Sequence, residues 1–316
     1  MLEDGKSWVR GFNPIIDRHC LHFVQQRPHN LTLLISFARF GRKTLTQPKS
    51  TQFNPSTQLQ PCSCSSPAQL NMGSISIREH IRWGTESPSE PTSTLVLTSP
   101  GRHFVDVRVL RQASSPGSKN PSDEDFGVLP RDQLDWAFAG TSSSSQVTRH
   151  DGSHVSHSVF HHWVDNRSKE PEATRDEGDM FPQANDMTLE TGRMANPATG
   201  VETDYEELWR DAEPASVSVG GGACIVFQLQ DDSNGRRGQF VRLGQFAQGV
   251  LRIGNTFTAE RWIWDQGQSK WKRLAKIGDN DAPSLEALID SNSSLSKEGE
   301  QVKTPSGIWT VIEAQG

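Results

Sequence analysis

The sequence has little apolar material and no long hydrophobic run. Only 33% of its 316 residues are hydrophobic, against about 45–50% in an average globular chain, so part of the chain is expected to remain outside any core. The longest apolar run, Leu31–Phe40, is interrupted by Thr, Ser and Arg. It is far shorter than the roughly 20 residues that cross a bilayer. The sequence therefore predicts no membrane span, and we find no convincing secretory signal.

Cysteine is scarce in most of the chain, and several catalytic motifs are missing. Three of the four cysteines lie in the first 71 residues, and Cys224 alone lies beyond them. One thiol cannot form an internal disulfide framework, which favours a reducing compartment. The chain also lacks a Gly-x-Ser-x-Gly elbow, a His-Glu-x-x-His helix and a Cys-x-x-Cys pair. None of these motifs therefore supports an enzymatic function, and we assign no catalytic residue or cofactor.

Basic residues are outnumbered by acidic ones in the larger part of the chain. Residues 1–71 carry eight Lys and Arg against three Asp and Glu, a balance of +5, whereas residues 72–316 carry 24 against 35, a balance of −11. A body with this excess of negative charge is repelled by a phosphate backbone. We therefore predict no nucleic-acid partner.

The first 71 residues differ in composition from the rest. Residues 44–71 consist largely of Pro, Ser, Thr and Gln, and such a segment cannot bury enough apolar surface to offset its ordering entropy. We predict that residues 1–71 are a disordered extension, or a non-native segment upstream of an original start at Met72.

Residues 72–316 have the alternating pattern of β-strands. Within His103–Arg111, three valines at positions 105, 107 and 109 alternate with Asp106, Arg108 and Leu110, which predicts a half-buried strand. Many further short strands separated by polar stretches such as Thr141–Ser145 predict an all-β, mainly antiparallel fold with solvated loops.

Local signals also predict where the two halves meet and how the second half folds. Thr203 and Glu206 have the spacing of a capping box, which predicts a short helical linker between a domain at 72–200 and another at 201–316. Segments 261–265 and 270–274 are separated by a short polar turn and predict a hairpin. Only Pro283–Asp290 has a helical pattern in the second half.

Two clusters of chemically capable side chains leave alternatives open. Trp262 and Trp264 alternate with basic residues, as on a single-strand nucleic-acid platform, but buried aromatic side chains with a core or cavity-lining role explain them better. Five histidines between His150 and His162 could ligate a transition metal. However, His157 and His161 lie on one strand face and His154 and His162 on the other, so we assign no metal site.

Several sequence blocks together resemble the fungal Hri family, which is named for interaction with a casein kinase I. The resemblance covers residues 72–316 and excludes residues 1–71. The blocks are Ile81–Gly84, Phe104–Arg108, Asp135–Thr141, Trp163–Asp165, Glu190–Gly192, Glu207–Arg210, Gly244–Phe246, Gly249–Leu251, Glu260–Trp262 and Trp309–Glu313.

The resemblance implies two consecutive calycin-like or lipocalin-like β-barrel domains, a cytoplasmic and nuclear location and no established enzymatic activity. It also implies a non-catalytic protein that binds a casein-kinase-I-type kinase. We expect acidic surface segments to contain phosphorylation sites for such a kinase, with Ser122, Ser293 and Ser296 as candidates.

The alternative function is a barrel that binds or converts a small hydrophobic molecule, because small barrels can enclose one ligand. The barrel-lining candidates are Trp136, Phe138, Trp163, Trp262 and Trp264.

Overall fold

The computed structural model describes residues 73–111, 120–217, 224–290 and 297–315. Within these ranges the chain forms sixteen strands and one short α-helix. The predicted all-β, mainly antiparallel class is confirmed. The elements are β1 Ser74–Trp83, β2 Thr92–Thr98, β3 His103–Leu110, β4 Gly127–Pro130, β5 Leu134–Thr148, β6 His154–Asp165, β7 Glu177–Pro182, β8 Met187–Ala195, β9 Glu202–Ala212, β10 Cys224–Asp231, β11 Arg236–Leu243, β12 Phe246–Ile253, β13 Thr256–Asp265, β14 Lys270–Gly278, α1 Glu286–Asp290, β15 Gln301–Thr304 and β16 Gly307–Gln315.

Eight strands close into an antiparallel barrel, hereafter the barrel. Their order is β1-β2-β3-β5-β6-β7-β8-β9, and β9 returns to pair with β1 from Ala212 opposite Ile75 to Tyr205 opposite Trp83. Closure leaves the barrel without a free sheet edge and gives each strand an inward and an outward face.

The other eight strands form a second sheet that remains open. Its order is β15-β16-β10-β11-β12-β13-β14-β4, with β4 parallel to β14. The prediction of two barrels is therefore only partly confirmed, since one sheet closes and the other does not. The two edge strands, β4 and β15, have four residues each and pair only on their inner side.

Two local predictions are wrong. The expected helical linker at Thr203–Glu206 lies in β9, which pairs with β1 and β8. The change from the barrel to the second sheet therefore follows Ala212 rather than residue 200. The expected loop at Thr141–Ser145 belongs to β5, which continues to Thr148 and pairs with β6. In both segments cross-strand pairing overrides the local polar signal.

Other local predictions are confirmed. Strand β13 pairs with β14 as a hairpin, with Asp265 opposite Lys270, and the segment with a helical pattern contains α1. The expected extension at 1–71 lies outside the described residues. Within the part of the chain that the structure describes, none of the helices has the length and hydrophobicity that a membrane crossing requires.

The main core lies between the barrel and the second sheet. The outward valines of β3 are fully buried there, together with Val241 and Phe257 of the second sheet. Long polar side chains cross the same interface. Gln239 donates to the carbonyls of Phe104 and Gly140, each at 2.9 Å. The opposite face of the second sheet is covered by the segment containing α1, through Leu285 and Leu288.

Candidate functional site

The barrel interior is polar. Because side chains alternate along a strand, the valines of β3 face the second sheet, whereas Asp106 and Arg108 face the barrel interior. Both are buried. The half-buried strand expected from this pattern is thus buried on both faces, since the inside of the barrel takes the place of solvent.

Two arginines and three carboxylates form an ion-pair network on this interior. Arg108 donates to Asp106 Oδ2 from Nε at 3.0 Å and from Nη2 at 2.8 Å. Its Nη1 lies 3.3 Å from Glu207 Oε1. Arg78 donates to the same oxygen of Glu207 and to Glu90 Oε2 at 2.8 Å. Such buried charges are tolerated only when they are paired and hydrogen-bonded.

Asp106 is incompletely satisfied. Its Oδ1 atom is buried and has no hydrogen-bond partner among the described residues, although Oδ2 accepts both bonds from Arg108. Burial raises the pKa of Asp106, and the charge of Arg108 only partly opposes this effect. A buried acceptor without a donor costs about 1–3 kcal/mol. The interior therefore offers a hydrogen-bond acceptor that the protein itself leaves unused.

Glu190 lies directly across the strand pair from Glu207. Its Oε2 accepts a bond from the indole of Trp209 at 3.0 Å, and its Oε1 lies 2.9 Å from the hydroxyl of Tyr205. Burial, together with the charges of Glu207 and Asp176, raises the pKa of Glu190 to about 8. Glu190 is therefore mostly protonated at neutral pH, and its Oε1 accepts a hydrogen bond from the Tyr205 hydroxyl.

Two glycines make room for these side chains. A Cβ atom at Gly178 would lie 2.7 Å from Glu190 Cγ, and one at Gly192 would lie 2.5 Å from Tyr205 Cζ. Neither position can therefore carry a side chain without displacing a residue of the interior.

A buried histidine bridges two further carboxylates. His162 Nδ1 lies 2.9 Å from Asp165 Oδ2, and Nε2 lies 3.0 Å from Asp176 Oδ2. Burial disfavours the imidazolium, but these two hydrogen bonds outweigh it and raise the pKa of His162. The ring also stacks on Phe138, with centroids 4.1 Å apart, so its orientation is fixed from three sides.

A cavity of about 300 Å³ lies inside the barrel and is hereafter the cavity. Its buried floor includes Asp106, Arg108 and Glu207, whereas Arg102, Ser144 and Asp211 at the other end are exposed to solvent. The cavity therefore opens at one end. The complete lining is Ser74, Ser76, Val96, Thr98, Arg102, Phe104, Asp106, Arg108, Phe138, Ser142, Ser144, Ser158, Phe160, Asp176, Met180, Thr188, Glu190, Glu207, Trp209 and Asp211.

Of the five barrel-lining candidates, Phe138 lines the cavity. Trp136 lies on the same strand, where its indole donates to Asp165 at 3.1 Å and its ring stacks under Arg108. Trp163 lies at the junction with the second sheet, near Arg237. Trp262 and Trp264 are buried in the second sheet, away from the cavity. The structure therefore does not bring these five residues together.

The remaining sequence candidates lie apart from the cavity. Ser122 is half-buried in a 3-10 turn at Pro121–Asp123, and Ser293 and Ser296 lie outside the described residues. His157 contacts Asp179 at 2.9 Å rather than another histidine. Among the described residues, no group of three or more potential ligands is arranged to hold a metal ion.

Sequence reasoning missed the polar part of the lining. Ser142 and Ser144 lie in a segment whose polar composition predicts a loop, and Glu190 and Glu207 stand out in the sequence only as parts of the blocks shared with the family. Charged residues on a strand normally indicate a solvent face. The available sequence signal for the interior is therefore a glycine within a strand, Gly178 in β7 and Gly192 in β8.

Comparison with known proteins gives a family. The model of the family described as Protein HRI1 matches residues 74–313. The chain belongs to this family. The barrel and the second sheet of this HRI1 family member are similar to the crystal structure of the uncharacterized protein YLR301w from Saccharomyces cerevisiae. The TM-score is 0.55 and the identity 20%, covering 78% of this chain and 100% of that one. At this identity the likeness extends to the fold alone. No curated protein matches the sequence.

Proposed function

We propose that the barrel of this HRI1 family member binds a small, partly polar molecule in its cavity. The observation that carries the proposal is the cavity itself, which opens to solvent at one end and is lined at its buried end by Asp106, whose Oδ1 atom is buried and lacks a hydrogen-bond donor among the described residues. A pocket that combines apolar walls with a few fixed polar groups is typical of small-molecule sites. The five carboxyl groups in the lining favour this ligand over the purely hydrophobic one considered from the sequence.

The indole N–H of Trp209 provides a direct test, because Trp209 lines the cavity and donates to Glu190. In a ¹⁵N-correlated NMR spectrum, a library of fragments of about ten non-hydrogen atoms should contain members that shift this signal. The indole signal of Trp264, which donates to Gln266 in the second sheet, should not move.

A matched pair of variants connects the shift to the cavity. Ser158→Met fills the cavity from β6 and should abolish the Trp209 response. His161→Met changes an exposed residue on the opposite face of the same strand, outside the lining, so it should leave the response intact. If no fragment shifts Trp209, or if Ser158→Met leaves the response unchanged, the proposal is wrong.

The family resemblance supports a second proposal, that a casein-kinase-I-type kinase binds the protein in the cytoplasm or nucleus. Ser122 precedes three acidic residues, of which Asp123 and Asp125 are exposed. Purified kinase should bind the full chain in a surface-immobilised assay, and it should phosphorylate Ser122. Asp123→Asn with Asp125→Asn should reduce phosphorylation, whereas Asp186→Asn on another exposed turn should not. Absence of both binding and phosphate transfer would contradict this proposal.

A further inference from the structure

The charge of the cavity lining is unbalanced. Five carboxyl groups line it, from Asp106, Asp176, Glu190, Glu207 and Asp211, against two guanidinium groups, from Arg102 and Arg108. Arg78 and His162, which lie behind the lining, bond to Glu207 and Asp176. The cations around the buried end of the cavity are therefore engaged by its carboxylates. An anionic occupant there would meet these carboxylates without a free cation among the described residues, whereas a cation would be attracted to them.

The arginines near the floor are already occupied. All three nitrogens of the Arg108 guanidinium bond to Asp106 or Glu207. Those of Arg78 bond to Glu207, Glu90 and Thr92. Arg102 lies at the exposed end. An anion at the floor would therefore have to compete with existing ion pairs for its donors.

The free polar atom at the floor is an acceptor. Asp106 is 3% exposed, and its Oδ1 is buried without a partner in the described part of the chain. An ammonium group carries three N–H donors and no acceptor, so it matches this atom in both charge and hydrogen-bonding character. A charge-assisted bond of this kind is about twice as strong as a neutral one.

The walls of the cavity suit an apolar body attached to that ammonium. Val96, Phe104, Phe138, Phe160 and Trp209 contribute to the lining, and aromatic faces also attract cations. The volume of 300 Å³ equals that of about ten water molecules in the liquid. A ligand on the order of ten non-hydrogen atoms therefore fits.

We propose that the cavity selects a compact amphipathic amine. Its ammonium group donates to the Asp106 carboxylate, whose side chain turns Oδ1 toward the cavity, and its apolar body packs against Phe104, Phe138 and Trp209. This inference rests on the proposed small-molecule function and specifies its ligand class. Glu207 and Asp176 add negative charge to the surroundings of the bound cation.

Three probes of nearly equal size test the charge preference on the unmodified full chain. They are 2-phenylethylamine, 2-phenylethanol and phenylacetate, in which a short side chain on a phenyl ring ends in an ammonium, a hydroxyl and a carboxylate group, respectively. Affinity is measured at pH 7 from the Trp209 indole shift. The amine should bind at least tenfold more tightly than the alcohol, and phenylacetate should bind most weakly.

A variant pair tests the role of Asp106. Asp106→Asn should weaken the amine at least tenfold and leave the alcohol nearly unchanged, whereas Asp186→Asn, in an exposed turn, should change neither. Circular dichroism checks that Asp106→Asn is folded. If it is not folded, the three probes on the unmodified chain decide alone.

The outcomes separate this inference from the proposed function. If the alcohol or phenylacetate binds as tightly as the amine, the cavity binds small molecules but the amine proposal is wrong. If the amine preference persists in folded Asp106→Asn, the assignment of Asp106 is wrong. If none of the probes and no library fragment moves the Trp209 signal, the small-molecule function fails as well.

Discussion

Glu190 shows how the barrel interior sets the charge state of a single residue. It faces Glu207 across one strand pair and bonds to Tyr205 and Trp209. Two carboxylates in such a setting are not both ionised at neutral pH. The Tyr205 hydroxyl donates to Glu190 Oε1 at 2.9 Å and also lies 3.3 Å from the Glu177 carbonyl, and the Trp209 indole donates to Oε2. Both carboxyl oxygens of Glu190 are thus hydrogen-bonded without a further charge.

This arrangement predicts that stability falls as pH rises. The pKa of Glu190 is about 8 in the folded protein against an ordinary value of 4.5. Between these values the folded protein retains a proton that the unfolded chain releases, so its stabilising effect is complete below about pH 4.5 and is lost as pH rises through about 8. The melting temperature of Glu190→Gln should therefore fall less than that of the unmodified protein between pH 6 and pH 9.

The control for this experiment is Glu86→Gln, which changes an exposed carboxyl in the turn after β1. Its melting curve should follow that of the unmodified protein across the pH range. The pKa of His162 is also raised in the folded protein, so its deprotonation contributes to the same fall in stability with pH, but His162 is present in every variant. Equal slopes for Glu190→Gln and the unmodified protein would contradict the protonated state of Glu190.

Arg108 carries the second residue-scale prediction. Arg108→Met removes the arginine that bonds to Asp106 and one of the two that bond to Glu207, so that the buried Asp106 loses its ion pair. The expected loss is about 3–5 kcal/mol in the free energy of unfolding, measured by urea titration. Arg193→Met breaks an ion pair with Asp204 whose side chains are 61% and 75% exposed, and it should cost less than about 1 kcal/mol. Similar losses in both variants would show that the interior network is not the cause.

These residues could not be identified as a site from the sequence. The alternation of His103–Arg111 predicted the strand and its apolar face correctly. It could not distinguish water from a polar barrel interior, because both accept Asp106 and Arg108. The aromatic character of Trp136 and Phe138 predicts that both line the barrel, yet only Phe138 of the two lines the cavity. The position of each ring depends on contacts that are distant in sequence.

At the scale of elements, β8 and β9 show why interior residues need a glycine opposite them. Gly192 pairs with Tyr205, and a methyl group there would lie 2.5 Å from the Tyr205 Cζ and Oη atoms. Gly192→Ala should therefore displace the ring, break its bond to Glu190 and destabilise the protein by about 1–3 kcal/mol. The change is measured by comparing the urea unfolding curves of Gly192→Ala and the unmodified protein.

The control for this strand pair is Gly267→Ala in the turn between β13 and β14. Its added Cβ would come no closer than 3.3 Å, to the end of the Asp265 side chain, so it should change stability by less than about 0.5 kcal/mol. If Gly192→Ala is equally mild, the pairing of β8 with β9 tolerates a side chain at this position.

Sequence signals succeeded for elements that depend on neighbours along the chain. The β13–β14 hairpin and α1 are confirmed, because a polar turn and a local apolar pattern are enough to define them. The capping-box spacing at Thr203 failed, because in β9 Tyr205, Glu207 and Trp209 alternate inward as a strand. Their partners on β8 lie in a segment whose pairing the local sequence does not reveal.

At the scale of the whole molecule, the barrel and the second sheet share one core. Apolar residues of both sheets form a single cluster, and Gln248 of β12 donates to the barrel carbonyls of Leu95 at 2.7 Å and Val105 at 2.9 Å. Arg261 of β13 is fully buried and donates to Ser93 Oγ at 2.8 Å and to the carbonyl of Val107 at 2.7 Å. In addition, β4 leaves the barrel half of the chain to pair with β14.

This shared core predicts that the two sheets unfold in one cooperative transition. Trp209 reports on the barrel and Trp309, fully buried with its indole 3.0 Å from Ser306 Oγ, reports on the second sheet. Their indole signals in the full chain should disappear at the same urea concentration. Gln248→Ala should lower both midpoints together, because the buried carbonyls that lose a donor cost about 1–3 kcal/mol in the free energy of unfolding. The exposed Gln230→Ala should shift neither midpoint. A Trp309 signal that persists after that of Trp209 has disappeared would instead mean that the second sheet is stable without the barrel.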